Sequence, residues 1–131
     1  MRYLLDTNAV IALANNTGSN LSRRARRVAP QDIAVSAIVM QELYFGAYKS
    51  RRQPQNLAVI DALQFEIIEF DQDDAHQAGE IRAFLAAQGT PIGPYDVLIA
   101  GQAVARNAAL VTRNTREFAR VPRLRVENWE V

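Results

Sequence analysis

Cysteine is absent from all 131 residues, which excludes disulfides, thiolate catalysis and the common structural zinc sites. Its absence fits a reducing, cytoplasmic compartment. Histidine occurs once, as His76. With no G-x-S-x-G stretch to go with it, Ser-His-Asp chemistry has little to draw on. Neither a G-x-G-x-x-G fingerprint nor a phosphate-binding P-loop occurs. Long hydrophobic runs are also missing, so no membrane span is expected. The opening MRYLLDTNAVIALA has a short apolar run of the kind found in secretion signals, but Asp6 and Asn8 interrupt it. It reads as a buried strand entering a helix. Lysine is nearly absent too: Lys49 stands alone, so the basic side of the chain is almost all arginine.

What remains is a chain that is 49% hydrophobic with a formal net charge of +1. That composition and length predict one packed domain over 1–131. The charge is unevenly spread. Residues 61–80 carry acids and no Lys or Arg, whereas 106–125 carry Arg106, Arg113, Arg116, Arg120, Arg123 and Arg125 against Glu117. A second cluster is Arg23, Arg24, Arg26 and Arg27, followed later by Arg51 and Arg52. Arginine forks match phosphate oxygens, which points to a nucleic-acid backbone. A solvated helix face with a basic C-terminal loop would look the same.

Short apolar segments alternate with helical ones. Strands are expected at Tyr3–Leu5, Ile33–Val35, Ile67–Phe70, Ala109–Thr112 and Leu124–Val126. Helices are expected from Asp6-Thr7-Asn8 to about Ala14, over Leu21–Ala29, from Ser36 to about Ser50, over Gln55–Gln64, from Asp73-Asp74 to Gln88, and over Tyr95–Arg106. Asn15–Asn20 reads as a polar loop, Arg51–Pro54 as a connector, and Asn114–Phe118 as a loop or short helix. Unalternating strands separated by helices imply a mainly parallel sheet covered on both faces.

Three acids stand out, because each interrupts or closes an apolar stretch where a charge is costly unless paired or metal-bound. They are Asp6 in LLDTN, Glu42 in VMQELYFGA and Asp96 in PIGPYDVLIA. Each has a simpler reading: Asp6 as a helix cap, Asp96 as a helix-dipole partner, Glu42 as an exposed helical acid. In open parallel sheets ligands sit beyond the carboxyl ends of the strands. Asp6, Glu42, Asn114 and Glu117 all follow strands. Asp96 opens the helix that leads into the fourth strand, and the coarse reading puts that helix start at the opposite end of the sheet. If the acids do meet, their oxygens suit a hard cation such as Mg²⁺ or Mn²⁺.

LLDTN, the Glu of QELYFGA and QGTPIGPYDVLIAGQAVARNAALVTRNTREFARVPRLRVENW together resemble the PIN-domain family, and within it the VapC-type ribonuclease toxins. The resemblance runs over nearly the whole chain. It implies a three-layer α/β/α sandwich with a central, mainly parallel sheet, a Mg²⁺-dependent endoribonuclease for which tRNA is the first substrate to consider, a cognate VapB-type antitoxin, and a homodimer that assembles further with that antitoxin. It places Asp96 in the site with Asp6, and Glu42 as the third acid. The family's usual fourth acid is Asn114 here, with Glu117 three residues on as a replacement carboxylate. Thr7 and Thr112 match hydroxyl positions near the acids. Arg113 and Arg116 are expected to grip flanking phosphates. Tyr44, Phe45 and Tyr48 form an apolar arc that is either core or a seat for the antitoxin. The alternative function is a catalytically weak PIN module that binds RNA or partner proteins; a duplex-clamping DNA nuclease would need insertions that this chain lacks.

Overall fold

The computed structural model describes residues 1–15 and 18–131, so part of the polar loop expected at 15–20 lies outside the described residues. Five short strands form one sheet: β1 (Tyr3–Leu5), β2 (Ile33–Ser36), β3 (Glu66–Ile68), β4 (Ala109–Val111) and β5 (Arg125–Glu127). Their order is β3-β2-β1-β4-β5, and every pair is parallel. The register puts Leu5 opposite Val35 on one side and Val111 on the other. The helices are α1 (Thr7–Asn15), α2 (Asn20–Arg26), α3 (Ala37–Lys49), α4 (Gln53–Asp61), α5 (Gln72–Ala87), α6 (Pro94–Ala105) and α7 (Thr115–Phe118).

The chain steps from β1 to β2 to β3 in one direction, then returns past β1 to β4. Right-handed crossovers in the two directions put α1–α4 on one face and α5–α6 on the other. This is the expected α/β/α sandwich, with a sheet that is wholly parallel. Leu4, Leu5, Ala34, Val35, Leu110 and Val111 are buried from both sides, as strands covered on both faces require. Among the described residues no helix is long and apolar enough to cross a membrane.

Several boundaries move, each for a local reason. α2 stops at Arg26, not Ala29, because the Arg27 and Val28 N–H groups turn back to Arg24 and Ala25, and Pro30 then opens a short 3₁₀ turn. α4 begins at Gln53, so the connector is shorter than expected. Pro54 sits in its first turn, where a missing N–H costs nothing. β3 ends at Ile68, not Phe70. The next carbonyl, Glu69 O, leaves the ladder to accept from Gln102 Nε2 at 2.9 Å and Arg106 Nη2 at 3.1 Å. Asp71, not Asp73, caps α5, in a reciprocal pair of 3.0 Å bonds with Asp74. Gly89 follows α5 at φ 69°, as its position after the helix predicts.

α5 and α6 approach closely. A Cβ on Gly101 would lie 2.5 Å from the Ala78 backbone. Buried Asp74 and Gln102 are hydrogen-bonded across the same contact at 3.0 Å. α6 then hands the chain to β4: Ala108 N–H bonds Ala103 O, and Ala109 N–H bonds Arg2 O, both at 2.9 Å. A helix of 12 residues is about 18 Å long. Its first turn, with Asp96, therefore lies at the carboxyl edge of the sheet. The expectation that it would start at the opposite end is corrected: a helix running against the strands and ending at the foot of β4 must begin at the top.

Candidate active site

At the carboxyl edge of the sheet, Asp6, Thr7, Asn8, Gln41, Glu42, Phe45, Tyr95, Asp96 and Asn114 line a cavity of about 570 Å³. Three elements supply its carboxylates. Asp6 stands between β1 and α1, Glu42 on α3, and Asp96 in the first turn of α6.

Asp6 is buried and tightly held. Its N–H bonds Val111 O at 3.1 Å, which ties it to the end of β4. Its Oδ1 accepts from Ala9 N–H at 3.0 Å, so it does cap α1. Its Oδ2 accepts from the Thr112 hydroxyl at 2.5 Å. That hydroxyl is itself aimed by accepting from Asn114 N–H at 2.9 Å. The cap and the candidate site are thus one carboxylate with two oxygens in different roles. Burial pushes the Asp6 carboxyl above its usual range and the charge on Glu42 adds to this, while the bonds from Thr112 and Ala9 oppose it.

Glu42 is half-buried and accepts a hydrogen bond from the Thr7 hydroxyl. Asp96 is held to about 6, first by burial and then by the charges of Glu42, Glu117 and Asp6. This mutual repulsion is what a set of carboxylates shows when a cation is needed to balance them. Gly93, the residue before α6, makes room for the acid: a Cβ there would fall 2.9 Å from Asp96 Oδ2.

Among the described residues no group of three or more His, Asp or Glu side chains stands close enough together to hold a metal ion by itself. The acids line one cavity and leave its mouth open. An open set of oxygen donors suits Mg²⁺, which usually keeps several waters and binds through one or two carboxylates plus substrate phosphates.

The other expected residues divide. Asn114 lines the cavity, and its Nδ2 donates to Glu117 Oε2 at 3.2 Å. Glu117 and Thr112 stand behind the lining residues. Arg113 and Arg116 are exposed nearby, and neither makes an ion pair among the described residues. Much of the remaining arginine is structural. Arg106 is bound to Asp74, Arg123 to Glu80, Arg125 to Asn107 O, and Arg24 to Glu127 and the Trp129 ring. Tyr44, Phe45 and Tyr48 are 37%, 65% and 61% exposed, so they are not core. Of the three, only Phe45 faces the cavity. An apolar groove lies on another face of α3, lined by Val10, Ile11, Leu43, Gly46, Val59 and Ile60, with Glu42 at its margin. Sequence reasoning missed Gly93 and Tyr95, both within three residues of Asp96 in GPYD.

The PIN domain family model matches residues 3–124. A curated relative from Salmonella typhimurium, tRNA(fMet)-specific endonuclease VapC, is 39% identical over 98% of both chains. The chain belongs to the PIN-domain family, among its VapC-type ribonuclease toxins. Ribonuclease VapC2 of Rickettsia felis is 39% identical over 99% of both chains. A crystal structure of VapBC2 from Rickettsia felis bound to a DNA fragment from their promoter contains a chain that superposes with a TM-score of 0.91. Identity there is 38%, over 98% of this chain and 99% of that one. Asn114 and Glu117 are side by side, so the Asn114 amide has a carboxylate in direct contact with it.

Proposed function

We propose that this PIN-domain chain is a divalent-metal-dependent endoribonuclease, the toxin of a VapBC-type pair, and that it acts in the cytoplasm on tRNA. The cavity that gathers Asp6, Glu42 and Asp96 at the carboxyl edge of the sheet carries the reading. Residues 1–131 act as one catalytic unit.

Asp6 and Asp96 are the acids that would hold Mg²⁺ or Mn²⁺, with Glu42 as the third. Such an ion supplies a Lewis acid that activates water and stabilises a leaving oxygen. The chain does the rest. Thr112 and the Ala9 N–H each hold one oxygen of the Asp6 carboxylate, so the group lines the cavity in a fixed orientation. The Thr7 hydroxyl holds one oxygen of Glu42. Asp96, held to about 6, is largely ionised near neutral pH, and a cation in the site would favour that charged form further. Asn114 supplies an amide beside Glu117. Arg113 and Arg116 grip phosphates on either side of the cleaved bond.

The cognate VapB-type antitoxin blocks this site. The apolar groove beside Glu42 fits one face of an amphipathic helix. Tyr44, Phe45 and Tyr48 extend that surface around α3, and a homodimer of the toxin assembles further with the antitoxin. The Salmonella relative's name makes tRNA(fMet) the first substrate to test.

Purified toxin incubated with total RNA, with Mg²⁺ or with EDTA, and mapping of the new ends tests the reading. Cleavage at a few sites, lost in EDTA and in Asp6→Asn, is expected. Full cleavage by Asp96→Asn in EDTA would sink it. A catalytically weak binding module would retain RNA without producing new ends.

A further inference from the structure

We propose that Phe45 and Tyr95 form a stacking platform that takes one unpaired nucleobase of the RNA next to the phosphodiester presented to the carboxylates. The proposal rests on the ribonuclease reading and adds the form in which that site takes its substrate.

Phe45 and Tyr95 are 65% and 49% exposed, yet both line the cavity that holds Asp6, Glu42 and Asp96. Leaving two large rings in water forgoes the burial that aromatic side chains ordinarily provide. Each ring is tied to a carboxylate by the local structure. Tyr95 immediately precedes Asp96 in the first turn of α6. Phe45 lies three residues after Glu42, so ring and carboxylate share one face of α3. The two rings come from helices on opposite faces of the sheet, and they meet the cavity from different sides.

The electrostatics favour the same occupant. A cavity lined by three acids repels the RNA backbone until a cation is bound. Stacking is insensitive to that repulsion, since every base has a π-face. The Lys49 ammonium lies 5.6 Å from the Phe45 ring centroid, one turn along α3. It covers one face of the ring, so a base would stack on the other face with this cation close enough to attract its phosphate. Exposed Arg51 and Arg52 follow it. The cavity volume of about 570 Å³ is that of a small-molecule site. That is room for one splayed nucleotide. A base stacked between or upon these rings has left its helix, as bases read by aromatic side chains in RNA generally have.

The test uses the full chain in EDTA, where RNA is bound and not cut, and a single-stranded RNA carrying 2-aminopurine at successive positions. One position should be quenched on binding. Phe45→Ala and Tyr95→Ala should each abolish that quenching and weaken binding about 5- to 150-fold, the size of one stacked base. Tyr95→Phe should keep both, because the ring is needed and the hydroxyl is not. An abasic residue at the quenched position should bind wild type and both alanine variants alike. Phe84→Ala, at an exposed aromatic on α5 that does not line the cavity, should behave as wild type. Quenching that survives in both alanine variants would overturn the platform, as would an equal loss of binding on intact and abasic RNA. So would alanine variants that bind RNA normally but lose an antitoxin peptide. Metal-dependent cleavage of total RNA by wild type is read separately: if it persists while the platform tests fail, only the platform falls. If wild type neither binds nor cleaves RNA, both fall.

Discussion

Gly93 and Asp96 share one small space: a methyl group on Gly93 would sit 2.9 Å from Asp96 Oδ2. Gly93 has ordinary extended backbone angles, so its role is room and not conformational freedom. Gly93→Ala should therefore fold with nearly unchanged stability and push the Asp96 carboxylate aside. Mn²⁺ affinity, read by calorimetry, is expected to drop by about tenfold or more, as for other changes that disturb the support of a metal ligand. Unchanged affinity would mean that Asp96 moves freely and is not placed by Gly93.

The raised Asp96 carboxyl gives a pH dependence of definite sign. Its folded value of about 6 lies above the ordinary 3.8. The folded state thus binds this proton more tightly than the unfolded chain does. The stability contributed by the protonated acid is fully present below pH 3.8 and is lost as pH rises through about 6. In EDTA, wild type should melt at falling temperature across that window. Asp96→Asn should show a flatter profile and a higher melting temperature at pH 7. Mg²⁺ or Mn²⁺ should reverse the trend in wild type, because binding expels the proton. A wild-type profile identical to Asp96→Asn, with and without metal, would remove Asp96 from the charged cluster.

Thr112 is the least conspicuous member of the site and one of the most constrained. It is buried, donates to Asp6 and accepts from Asn114. Thr112→Val keeps the shape and removes both bonds. It should cost about 1–3 kcal/mol in urea unfolding, since it leaves a carboxylate oxygen and an amide without their partner. It should also raise the Asp6 carboxyl further, because the lost bond favours the charged form. Thr112→Ser should restore most of both. If valine is as good as serine in stability and in the pH dependence of cleavage, the hydroxyl does not position Asp6.

The fold was legible from residues 3–5, 33–35 and 109–112 because their apolar runs are short and unalternating, as strands buried on both faces are. Asp6 was legible for the same reason: a charge at the end of such a strand needs a purpose. The expected third strand, Ile67–Phe70, starts one residue and ends two residues beyond the observed β3. Its edge position leaves Ile67 exposed, so hydrophobicity no longer marks its limits. The placement of Asp96 turned on the direction of α6, and a string of residues does not display direction. Gly93 was overlooked because its neighbour across space is three residues away, a separation at which a glycine reads simply as punctuation. The C-terminal arginines looked alike in sequence. Only the structure separates Arg106, Arg123 and Arg125, which are engaged with other parts of the chain, from Arg113 and Arg116, which make no ion pair among the described residues.

That separation makes Glu117 and Arg116 a useful pair. They are adjacent on α7, yet they should act on different things. Glu117 accepts from the Asn114 amide and contributes to holding Asp96 in its raised state. Glu117→Gln should weaken Mn²⁺ binding and lower the Asp96 carboxyl, with little effect on RNA binding in EDTA. Arg116 is exposed and makes no ion pair among the described residues. Arg116→Ala should leave metal affinity alone, weaken RNA binding irrespective of sequence, and reduce the slope of log K against log salt by about 1. The two changes should add when combined, since neither side chain contacts the other's partner. Equal metal affinity in wild type and Glu117→Gln would make Glu117 a surface residue that merely touches Asn114. An unchanged salt slope in Arg116→Ala would move the phosphate contact elsewhere on the arginine-rich side.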